Sequence, residues 1–153
     1  MSSLIGVSLK CQYALRAMFE LSIRFPAETI STVADIADIQ NIPPRFLEQI
    51  FSKLRTGGFI ESRRGKQGGY ILAVKPSSIS VGQIIRFIEG SDDSIQCLKT
   101  TPGAHCPSNP NGCVFKELWT HAKDAMSQIF DATTFQDLVD RQKIVNSQYD
   151  YSI

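Results

Sequence analysis

The chain has 153 residues, enough for one domain or one domain with an arm, and its hydrophobic fraction of 42% is that of an ordinary globule. Its formal net charge is +1, so it is no polycation, and any hold on nucleic acid must come from a local basic surface. No run approaches the roughly 18 apolar residues of a membrane span, and the mixed-polarity N-terminus lacks a secretory apolar core, so the expectation is a cytoplasmic protein with no membrane partner.

Residues 9–25 carry Ala14, Ala17, Met18, Leu21 and Phe25 at steps of three and four, one apolar face of a helix that Pro26 stops. Thr32 with Asp35 resembles a capping box with Asp in place of Glu, opening a short second helix with Val33, Ile36, Ala37 and Ile39 inside. Pro44 suits the first position of a third helix, which runs to about Thr56 before Gly57-Gly58. Its apolar stripe is Phe46, Leu47, Ile50, Phe51 and Leu54; the opposite stripe is Arg45, Glu48, Gln49 and Ser52. Short helix, turn and helix with a polar outer face is the helix-turn-helix arrangement.

Two β-rich runs then flank Arg64-Gly-Lys-Gln-Gly-Gly, a hairpin with a basic, glycine-rich tip that reads as a wing. Ser80 and Gln83 form another capping-box pattern, opening a helix that Gly90 closes. Beyond Cys113 the apolar positions Phe115, Leu118, Trp119, Ala122, Ala125, Met126, Ile129 and Phe130 predict an amphipathic helix that packs on the domain or on a copy of itself. Thr133-Thr134-Phe-Gln-Asp-Leu starts a short terminal helix. The fold class expected is mainly α with a small β-hairpin wing: a winged helix-turn-helix over 1–78, a linking helix and cysteine loop over 79–113, a dimerisation helix and short terminal helix over 114–140, and a tail over 141–153, mobile in its last stretch Asn146-Ser-Gln-Tyr-Asp-Tyr-Ser-Ile.

The third helix and the wing carry groups that read DNA. Arg45 and Gln49 can reach groove edges, and Glu48 can accept from a cytosine amino group. Lys53 and Arg55 suit phosphate contacts. The wing tip adds Arg63, Arg64 and Lys66, and cations there are attracted by a narrow minor groove. The plain alternative is a set of solvated charges. The order of helix-turn-helix and basic wing favours double-stranded DNA as partner.

Three of the four cysteines, Cys97, Cys106 and Cys113, lie in a loop rich in Pro, Gly, Asn and Ser. In a reducing compartment, clustered thiols are more often metal-binding or catalytic than disulfide-bonded. Zinc with His105 as fourth ligand and a thiol redox switch both remain open on the residues alone. There is no phosphate loop, nucleophile elbow or spaced carboxylate pair, so an enzyme is not expected.

Three blocks carry a family resemblance: Tyr13-Ala-Leu-Arg-Ala-Met, Phe46-Leu-Glu-Gln-Ile-Phe-Ser-Lys-Leu-Arg-Thr-Gly-Gly and Arg63-Arg-Gly-Lys-Gln-Gly-Gly-Tyr. With three cysteines before a Trp-bearing helix, they resemble the bacterial Rrf-two family of winged-helix transcriptional regulators over roughly residues 5–140. The resemblance implies a homodimer with crossed C-terminal helices, a pseudo-palindromic operator, and a redox- or iron-sensing iron–sulfur cluster ([2Fe-2S] or [4Fe-4S]) on Cys97, Cys106 and Cys113. It also places Glu48, Gln49 and Arg64 in DNA-contact regions. The family's fourth cluster ligands are absent: Lys116 stands where some members have histidine, and Gln12 where others have aspartate. The candidates left in this chain are His105 and Cys11.

Overall fold

The computed structural model describes residues 7–65, 68–90 and 113–150. In chain order these form α1 (Leu9–Arg24), α2 (Val33–Gln40), α3 (Pro44–Thr56), β1 (Ile60–Arg63), β2 (Gly69–Leu72), α4 (Val81–Glu89), α5 (Val114–Ala132) and α6 (Phe135–Asp150). The fold class is therefore the expected one, mainly helical with a small antiparallel hairpin.

Helix starts are fixed by side chains that satisfy orphan amides. Ser8 caps α1 by accepting from the Cys11 amide. Thr32 and Asp35 make the reciprocal capping box of α2, and Ser80 and Gln83 make that of α4. Thr134 and Asp137 repeat the device at α6. Hydrogen bonds from Thr32 to Asp35, and from Thr134 to Asp137, hold both carboxyls below their ordinary range.

The core gathers one face of α1 (Cys11, Ala14, Ala17, Met18, Leu21), the inner face of α3 (Leu47, Ile50, Phe51, Leu54), and Ile36, Ile60, Ile84 and Ile88. In the hairpin, Ile60 pairs with Leu72 and Arg63 with Gly69. Ser31 adds a bridge to Tyr70, extending the wing toward α2. That bridge requires glycine at 69, because a Cβ there would lie 2.5 Å from the Ser31 carbonyl oxygen.

One feature departs from expectation. The terminal helix is not short: α6 continues to Asp150, through residues expected to form a tail. Its first turns are anchored by Phe135 and Val139, both buried, while residues 141–148 are exposed. The helix therefore continues past its packed half on local propensity and on pairs such as Gln142 with Asn146 and Lys143 with Asp140. In α5 no residue is fully buried, and Phe130 is partly buried against the core.

Phe135 is fully buried where α6 docks, so Phe135→Ala should lower unfolding free energy by about 3–5 kcal/mol. Urea denaturation followed by circular dichroism measures it; a loss under about 1 kcal/mol would show that α6 is not anchored there.

Candidate nucleic-acid interface

The outer stripe of α3 is built by what its inner stripe must do. Leu47, Ile50, Phe51 and Leu54 are buried, and the helical period then turns Arg45, Glu48, Gln49, Ser52 and Arg55 to solvent. Two aromatic contacts hold that presentation rigid. Phe46 meets Tyr13 of α1 edge-on at 5.7 Å between ring centres, and Phe51 packs on Tyr70 of β2 at 4.7 Å. The second contact packs the wing against α3.

On the wing, Arg63 and Arg64 are exposed. The Arg63 guanidinium is 2.7 Å from the Glu61 carboxylate. Glu61 was not foreseen as a neighbour of the site, although residues two apart on one strand share a face. Lys66 lies outside the described residues.

Lys53 takes a different place from the one its sequence position suggests. It is half-buried, its ammonium donates to the Ile88 carbonyl at 2.9 Å, and it lies 5.6 Å from the centre of the Phe87 ring. It faces α4 and not the outer stripe.

Of the cysteine set, Cys97, Cys106 and the candidate ligand His105 lie outside the described residues. Cys113 is half-buried at the N-cap of α5, a position where helix dipole and unpaired amides favour negative charge. Among the described residues no group of three or more His, Cys, Asp or Glu is arranged to hold a metal ion. Cys11 is fully buried, and burial, with the nearby Glu89 carboxylate, pushes its thiol up to about 12. A thiol so held suits a small core residue better than a thiolate ligand.

A short helix, a turn, an outward-facing second helix and a basic hairpin define a winged helix-turn-helix protein. The Rrf2 family, described as iron-dependent transcriptional regulators, matches residues 7–141, and the chain belongs to it. It is similar to the transcriptional regulator CymR of Bacillus subtilis, 34% identical over 132 residues, covering 86% of this chain and 88% of that one. It is likewise similar to IscR of Escherichia coli, 32% identical over 137 residues, covering 90% and 82% respectively. Among solved structures, IscR of T. potens superposes with a TM-score of 0.72 at 34% identity, covering 89% of this chain and 87% of that one. CymR of B. subtilis, described as its global cysteine regulator, gives 0.71 at 32%, covering 88% and 96%. The chain is thus a winged-helix transcriptional regulator, not an enzyme. No helix among the described residues is long and apolar enough to cross a membrane.

Two measurements test the site. Arg64→Ala should weaken duplex binding across sequences and reduce the slope of log affinity against log salt by about 1; an unchanged slope in a salt-titrated gel shift contradicts a phosphate role. In metal-free native protein at pH 8, iodoacetamide should leave Cys11 unmodified until the chain is unfolded. Peptide mapping that finds Cys11 alkylated in the folded state contradicts its burial.

Proposed function

We propose that this regulator acts as a cytoplasmic homodimer on a pseudo-palindromic duplex and senses iron, oxygen or redox state through an iron–sulfur cluster on Cys97, Cys106 and Cys113. One observation carries the reading. Cys113 opens α5, and α5 exposes Phe115 (58%), Leu118 (54%) and Ile129 (64%) along a helix that has no fully buried residue and sets only Phe130 against the core among the described residues. A face so apolar is unfavourable in water, and a second copy of α5 is the partner that the family resemblance implies. A metal site at Cys113 would then stand at the border of the subunit interface.

The fit to a cluster rests on donor chemistry. Thiolates are the usual ligands of such clusters, and Cys113 stands where a helix terminus stabilises anionic charge. Bound there, the cluster supplies an iron-dependent, oxidisable group. Buried Cys11 fits poorly as the fourth ligand, which leaves His105 or an exogenous ligand. The chain's own residues do the rest: Arg45, Glu48, Gln49, Arg63, Arg64 and Lys66 meet the duplex, and α5 sets the spacing of two recognition helices. Those must lie about 34 Å apart to enter successive major grooves.

A second reading has its own support. The relative CymR carries the description of a cysteine regulator, so a cluster-free thiol regulator on the same module is the alternative.

Protein isolated without oxygen should show visible absorption with iron and acid-labile sulfide, and lose both in Cys97→Ala, Cys106→Ala or Cys113→Ala. No iron or sulfide, together with a disulfide formed on peroxide treatment, would favour the thiol reading. Leu118→Glu should halve the mass measured by sedimentation equilibrium. A wild-type monomer would overturn the dimer.

A further inference from the structure

The inward turn of Lys53 links the recognition helix to α4. The Ile88 carbonyl that accepts from its ammonium at 2.9 Å belongs to the last turn of α4, where carbonyls lack helical partners. That end of the helix also carries partial negative charge, which a cation complements. Phe87 sits beneath the same ammonium and meets Phe59 edge-on at 5.1 Å. Its ring lies so close to the end of α3 that a Cβ on Gly57 would be 2.5 Å from it. The junction therefore sets Gly57 close against the Phe87 ring on one side and the Lys53 ammonium on the other.

The last turn of α4 is also tied elsewhere. Glu89 accepts from the Ser8 amide at 2.8 Å, fixing the turn to the start of α1. One turn back, Arg86 reaches Asp131 of α5 through two hydrogen bonds, at 2.7 and 3.1 Å. Near that pair, the Val81 amide donates to the Thr133 carbonyl at 2.9 Å. Discrete contacts thus run from α3 through Lys53 to α4, and from Arg86 to α5.

We infer that Lys53 is a positioning residue, not a duplex contact: it couples the recognition helix to α4, and through Arg86 and Asp131 to α5, so that duplex binding at α3 is felt at the start and end of that chain. The inference rests on the reading of α3 as the DNA-recognition helix and does not depend on the cluster. Coupling is reciprocal, so whatever moves α4 or α5 changes duplex affinity by the factor with which the duplex stabilises them. Such couplings commonly amount to about 5- to 150-fold.

The test is hydrogen exchange on the full chain, with and without a duplex that the wild-type protein has enriched from a random library. In wild type, saturating duplex should slow exchange at least about fivefold in three places: α3, residues 86–90, and residues 129–132. Lys53→Met keeps the apolar stem and loses the donor. At saturation it should retain the slowing in α3 and lose it in residues 86–90. Asp131→Asn, on an exposed pair, tests the far link separately: slowing should persist at 86–90 and vanish at 129–132. A wild-type protein that enriches no duplex contradicts the DNA reading itself. A wild-type protein that binds but shows no slowing at 86–90 overturns the coupling. So does equal slowing there in Lys53→Met, and so does loss of all duplex binding by Lys53→Met, which would make Lys53 a contact. Slowing that survives at 129–132 in Asp131→Asn overturns the link to α5.

Discussion

The recognition helix has to satisfy two media at once, and much of the molecule follows from that. Its inner stripe of Leu47, Ile50, Phe51 and Leu54 is fully buried, which removes apolar area from water and fixes the helix about its axis. The rotation that buries Leu47 is the one that exposes Arg45, Glu48 and Gln49. Presentation of the polar face and core packing are therefore one geometric fact. A substitution that loosened the inner stripe would blur the outer one without touching a polar side chain. The Tyr13–Phe46 and Phe51–Tyr70 contacts extend the same constraint to α1 and the wing.

The second half of the chain carries the opposite condition. α5 is amphipathic, yet none of its residues is fully buried, and its C-terminal end is tied to α4 through Asp131 and Thr133. The exposed apolar residues of its N-terminal part, Phe115 and Leu118 among them, are the surface that the proposed second copy would cover. Between this helix and the DNA-reading unit stands α4, capped by Ser80 and Gln83 and fastened at its last turn to both α1 and α3. α4 therefore stands in contact with α1, α3 and α5 at once.

Local chemistry was legible in the sequence; long-range chemistry was not. The starts of α2 and α4 could be read because a capping box needs only residues three apart, Thr32 with Asp35 and Ser80 with Gln83. The end of α3 could be read from Gly57-Gly58 and its outer stripe from periodicity. The length of α6 could not, because beyond Val139 residues 140–148 are exposed and carry no apolar stripe to mark the helix. The direction of Lys53 was equally hidden: it sits at the border between stripes, and its partner carbonyl is 35 residues away. Cys11 reads as a possible ligand in one dimension, and only its burial against Glu89 separates it from Cys113.

In the proposed regulator, α3 is a base-reading helix presented twice by a dimer held through α5. Selection of duplexes from a random library by the full-length protein, followed by sequencing, tests this most directly. The enriched motif should be two-fold symmetric, with half-sites centred about 10 bp apart or a multiple of that, and Gln49→Ala should relax preference at symmetry-related positions in both halves. An enriched motif without two-fold symmetry, or preferences indifferent to Gln49, would contradict it.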